Sequence, residues 1–78
     1  MIGKILKTIR KNANLTQEQL ANKVFIGRST LSDYEREKTD INFADIEKIC
    51  DICGYEVIFL NKKTKQTITS KNIERKEL

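Results

Sequence analysis

A mainly α domain of four short helices followed by a β-hairpin is what this sequence predicts, on three observations. Apolar residues recur at helical spacing in four separate segments between residues 2 and 54. Local start and stop signals punctuate those segments: Thr16 with Gln19, Gly27, Asn42 with Asp45, and Gly54. From Tyr55 the period shortens to that of a strand. The expected organisation is a helical domain at residues 1–54, a hairpin at 55–69 and a basic tail at 70–78.

In the first helix Ile2, Ile5, Leu6, Ile9 and Ala13 form the apolar stripe, and Lys4, Lys7, Thr8, Arg10 and Lys11 fill the other face. Residues 12–14 end it. The second helix is expected to begin at Gln17, because Thr16 and Gln19 make a capping box and Leu15 can staple onto Leu20. The third starts behind Gly27, an acceptable N-cap without a side-chain acceptor. Its Leu31 and Tyr34 share a seam with Leu20, Ala21 and Val24, and the small Ala21 lets the two helices approach. Arg28, Ser29, Ser32, Asp33 and Arg36 are left on the outer face. The fourth helix has Asn42 as N-cap, Asp45 in its first turn and an apolar side of Phe43, Ile46, Ile49, Cys50 and Cys53. Gly54 is placed to end it in a left-handed conformation.

Two helices joined by a tight turn, the second with a free polar face, make a helix-turn-helix. Leu15 to Ala21, then Ile26, Arg28 to Ser32, Tyr34 to Arg36 and Lys38 resemble the Cro/C1-type (XRE) helix-turn-helix family, over roughly residues 5–54. The sequence departs from that family at Phe25, where the family usually has Gly, and at Gly27, where it usually has Ser or Thr. Either the turn differs here, or Phe25 offsets a left-handed backbone by packing its ring.

The resemblance implies a DNA-binding domain, and the residues fit one. Arg28, Ser29, Thr30, Ser32 and Asp33 lie early on the third helix, where they can reach base edges in a major groove. Arg28 is the best candidate for a bidentate guanine contact. Asp33 can accept from a cytosine or orient Arg28 or Arg36, and Thr30 can instead be structural. Gln17, with Thr16 and the free N–H groups of that helix start, is expected at a phosphate. Arg10, Arg36, Lys38 and Asn42 are further phosphate candidates. By resemblance Arg10 pairs with Glu35; a loose surface pair is the alternative.

Composition bounds the rest. A chain of 78 residues, 38% hydrophobic and 33% charged, is one small domain near the size where self-association commonly supplements the core. No apolar run approaches the roughly 18 residues of a membrane helix, and the opening MIGKILKTIRK is no signal peptide. A cytoplasmic protein is expected. The net charge of +4 is segregated: residues 1–38 hold eight basic and four acidic side chains, residues 39–60 one and five, residues 61–78 six and two. A basic first half suits phosphate, with the acidic middle expected to point away.

Cys50 and Cys53 form a CxxC, but zinc needs four ligands and the chain has no His and no third Cys. At a helix end the dipole disfavours a thiolate, so both are expected to fill the core. No metal, cofactor or small-molecule ligand is expected, and nothing resembles an enzyme site.

Residues 55–60 and 66–69 read as the two strands of the hairpin. Tyr55, Val57 and Phe59 would face one side, Ile58 and Leu60 the other, so one apolar face needs a cover. These five residues are expected to form a two-fold dimer contact; a hairpin that only covers its own core is the alternative. A strand here resembles the part of the family that includes antitoxins. The function expected is a homodimeric repressor on a pseudo-palindromic operator, or alternatively an antitoxin that binds a toxin protein and its own promoter. The tail, with Lys71, Ile73, Arg75, Lys76 and Leu78, can form a helical turn or stay unstructured.

Overall fold

The helices form where the caps and apolar spacing place them: α1 Ile2–Asn12, α2 Gln17–Val24, α3 Arg28–Glu35 and α4 Phe43–Ile52, followed by β1 Phe59–Leu60 and β2 Thr67–Ile68. The structure, a computed structural model, describes residues 1–71. The rest of the tail, with Ile73, Arg75, Lys76 and Leu78, lies outside the described residues. Each helix sends one fully buried side chain to the centre: Leu6, Leu20, Leu31 and Ile49. Ile9, Ala21, Val24 and Cys50 complete this core, and Leu15, Ile26, Ile41, Ile46, Cys53 and Val57 pack against it. Helices α1 and α2 each pack on both α3 and α4.

The inner face of α1 differs from the expected stripe. Gly3, Leu6, Ile9 and Arg10 are buried, whereas Ile2 and Ile5 are exposed. The stripe turns because α1 crosses the end of α3 closely at Gly3. A Cβ there would meet the backbone oxygens of Tyr34 and Glu35, the latter at 2.8 Å. The Gly3 N–H also donates to Glu37 Oε2 at 3.0 Å.

All four helices stop by one device. A residue in the left-handed region donates its N–H three residues back, and the next residue donates five back, which satisfies two of the carbonyls a helix end leaves open. Asn14, Phe25, Glu37 and Gly54 hold this position, with φ of 60°, 61°, 61° and 87°. Only one is glycine, so composition alone revealed only Gly54. At Phe25 the turn therefore keeps the family's left-handed geometry, at a cost of about 1–2 kcal/mol for a residue with a Cβ. The expected compensation is absent: the side chain is 92% exposed and its ring does not pack.

The hairpin is shorter than the pattern suggested. Phe59 pairs with Ile68 and Leu60 with Thr67, antiparallel. The loop is held by the Asn61 N–H to Gln66 O and the Lys65 N–H to Asn61 O, both 2.8 Å. Asn61 Oδ1 accepts from the Lys63 and Thr64 N–H groups. Residues 55–58 are not a strand: the Tyr55 N–H donates to the Cys50 carbonyl at 2.7 Å instead, and the opposite strand gives way to a turn at Ser70–Lys71. The predicted alternation fails with it. Val57 packs on the core while Tyr55, Ile58, Phe59 and Leu60 are exposed. Phe43, expected in the core, is half exposed and lies beside Phe59, ring centroids 6.2 Å apart.

Candidate nucleic-acid interface

The polar surface is built on α2 and α3, and its base is rigid. Thr16 Oγ1 accepts from the Gln19 N–H at 3.1 Å, and Gln19 Oε1 accepts from the Thr16 N–H at 2.9 Å. That capping box fixes where α2 starts and therefore where Gln17 stands. Helix α3 starts behind Gly27, whose extended backbone offers no side-chain cap. Its inner residues Leu31, Tyr34 and Glu35 are buried, and the Tyr34 hydroxyl donates to Asp45 Oδ2 of α4 at 2.9 Å. With one side so fixed, helical geometry leaves the other to water.

Beneath this surface lies a buried ion pair. Arg10 and Glu35 are 7% and 6% exposed. Arg10 Nε donates to Glu35 Oε2 at 2.7 Å and Nη2 to Oε1 at 3.0 Å, a bidentate fork. The third arm, Nη1, donates to the Leu15 carbonyl at 2.9 Å and ties down the α1–α2 turn. Gln17 Nε2 donates to the same Glu35 Oε1 at 3.0 Å. Burial works against ionisation of Glu35, but the hydrogen bonds from Arg10 and Gln17, with the charges of Arg10 and Lys7, outweigh it and hold the carboxyl below its usual range.

The structure thus sorts the expected site residues. Arg28, Ser29 and Thr30 are exposed; Ser32 and Asp33, one turn on, are half-buried on the same helix. Asp33 is paired, through Oδ1, with Arg36 Nη2 at 3.3 Å, so the carboxylate orients Arg36 rather than Arg28. Lys38 is exposed just past α3. Thr16 and Asn42 are first of all caps: the Asp45 N–H donates to Asn42 Oδ1 at 2.8 Å. Arg10 is not on the surface, because its donors are turned inward onto Glu35 and Leu15; it supports Gln17 instead. The pairing of Arg10 with Glu35 that the resemblance implied is present, but two further contributions escaped the sequence reading. Glu35 orients Gln17, for which no local spacing is a signal. Lys7, an exposed residue of α1, is close enough for its charge to act on Glu35; its place one turn before Arg10 was the clue.

Cys50 and Cys53 are free thiols. Burial pushes both thiols above their usual pKa, which is the environment of inert core cysteines. No described helix is long and apolar enough to cross a membrane.

A sequence model described as Helix-turn-helix matches residues 6–60, the stretch from the first core leucine to the first strand. The chain belongs to the helix-turn-helix family. Among curated proteins, it is 38% identical over 56 residues to an immunity repressor protein of Bacillus phage phi105, covering 72% of this chain and 39% of that one. It is 31% identical over 78 residues to the HTH-type transcriptional regulator ImmR of Bacillus subtilis, 92% of this chain and 61% of that one. To the antitoxin PezA of Streptococcus pneumoniae it is 42% identical over 50 residues, 64% of this chain and 32% of that one. The chain therefore spans only part of the length of each. Among solved structures, the biofilm regulator SinR in complex with DNA superposes with a TM-score of 0.65 at 30% identity, over 70% of this chain and 89% of that one. The regulator ClgR of Corynebacterium glutamicum gives a TM-score of 0.66 at 23% identity, covering 68% of this chain and 56% of that one, a likeness of fold.

Proposed function

We propose that this chain is a sequence-specific double-stranded DNA-binding regulator of transcription, acting in the cytoplasm as a repressor that occupies its operator. The observation that carries the reading is the two-sided character of α3. Its apolar side and Glu35 are fixed inside, and its early polar residues are presented to solvent. Arg28, Ser29, Thr30, Ser32 and Asp33 read base edges, with Arg28 on a guanine. Gln17, held by Glu35, meets a phosphate with the α2 N-terminus, and Lys7, Arg36 and Lys38 add charge along the backbone. The likeness to the phage immunity repressor, to the transcriptional regulator ImmR and to the DNA-bound SinR supports the same reading.

The chain works as a two-fold dimer, its two α3 helices one turn of DNA apart, about 34 Å. Exposed Phe43, Tyr55, Ile58, Phe59, Leu60 and Ile68, on α4, the hairpin and the segment leading into it, supply the contact, with Val57 bracing it from the core. An antitoxin role, in which the same patch grips a toxin protein, is a second reading favoured by the similarity to PezA.

The test is Arg28→Ala on a duplex selected from a random pool. Affinity for the selected site should fall about 5- to 150-fold, and preference should relax at one base pair. An equal loss on scrambled duplex would show that Arg28 touches only phosphate.

A further inference from the structure

Of the four left-handed residues that end the helices, Phe25 is the one whose side chain has no local reason to be there. Asn14 is a residue type that tolerates this backbone, Gly54 has no Cβ, and Glu37 accepts the Gly3 N–H through its carboxylate. Phe25 has the same strained backbone, φ 61° and ψ 43°, and an almost fully exposed ring. Glycine would hold this turn better, so the ring answers to something outside the chain.

Its place indicates what that is. Gln17 is bonded to Glu35 at the end of α3, so α2 runs back along α3 and delivers the turn at the opposite end, beside Arg28 and Ser29. Only residues 26 and 27 separate Phe25 from Arg28, which limits their Cα separation to about 10 Å. In a helix-turn-helix those first residues of the second helix meet the base edges. Lys23 and Arg28 flank the turn, both exposed, which suits a polyanion. The other exposed large apolar side chains lie on α1, α4 and the hairpin and its approach. The one apolar group a major groove presents is the thymine methyl, and Phe is among the side chains that pack on it.

We propose that Phe25 is a specificity residue whose ring packs on a thymine methyl in the major groove next to the bases met by Arg28 and Ser29. This rests on the DNA-binding reading above. The contact adds to the polar code of α3 a reading of one flanking base pair, at the expense of turn stability.

The experiment takes a duplex selected by the wild-type chain and replaces its thymines one at a time by uracil, which removes only the methyl. Binding of wild type and Phe25→Gly is followed by fluorescence anisotropy. One thymine should matter: uracil there weakens wild type about fourfold, the worth of one buried methyl, and leaves Phe25→Gly unchanged. The variant should also melt above wild type, so its loss cannot be blamed on unfolding. Identical uracil penalties in both proteins overturn the proposal, as does a loss in Phe25→Gly that is uniform over all duplexes. Melting below wild type also overturns it, since the ring would then be structural. If wild type selects no duplex at all, the DNA-binding reading itself falls, a result distinct from those.

Discussion

Removing Arg10 should cost this domain a large part of its stability. The guanidinium cannot lose its proton, and in the fold it has three protein acceptors: both oxygens of Glu35 and the Leu15 carbonyl. Arg10→Ala leaves a carboxylate that is only 6% exposed with Gln17 as its one neutral donor, and it opens the α1–α2 turn. Breaking one partner of a buried pair costs about 3–5 kcal/mol. A domain of this size has roughly 4–12 kcal/mol in all. Urea unfolding followed by circular dichroism should therefore show a collapse of the midpoint at neutral pH. The linkage has a definite sign. Because Glu35 has a lowered pKa when folded, its contribution is complete above the ordinary glutamate value of 4.5 and fades as pH falls below it. The deficit of Glu35→Gln relative to wild type should accordingly shrink below about pH 4.5. A cost under about 1 kcal/mol for Arg10→Ala, the range of an exposed pair, with no pH trend, would refute the argument.

Two further substitutions probe separate parts of the structure. Gly3→Ala would gain helix propensity on a surface helix, but here its Cβ meets the backbone of α3, so it should destabilise by about 1–3 kcal/mol, read from thermal melts. Phe59→Asp puts a charge into the exposed apolar patch at little cost to the monomer's core, and sedimentation should show a folded monomer; an intact dimer would remove the hairpin from the assembly.

Most of the helical domain was legible because its signals are local. The capping box at Thr16 and Gln19, the Asn42 cap and the Gly54 stop each act over three or four residues, and each forms as read. What failed to show was long-range. Nothing in the neighbourhood of Gly3 says that α3 passes against it, and the Arg10–Glu35 pair, 25 positions apart, was legible only through the family resemblance, which left its burial open. The hairpin misled for a related reason. Residues 55–60 have strand composition, but the Tyr55 N–H is drawn back to the Cys50 carbonyl at the end of α4, and the opposite strand gives way to a turn at Ser70–Lys71. On the interface, the exposed face of α3 followed from periodicity, whereas the support of Gln17 by Glu35 needed the fold.

In the proposed function, the outer side of α3 is the surface that meets DNA. The most direct measurement is an amide NMR titration of the chain with a selected duplex. The largest shifts are expected at Gln17, at Phe25 and from Arg28 to Asp33. Shifts confined to the hairpin, with α3 unmoved, would contradict it.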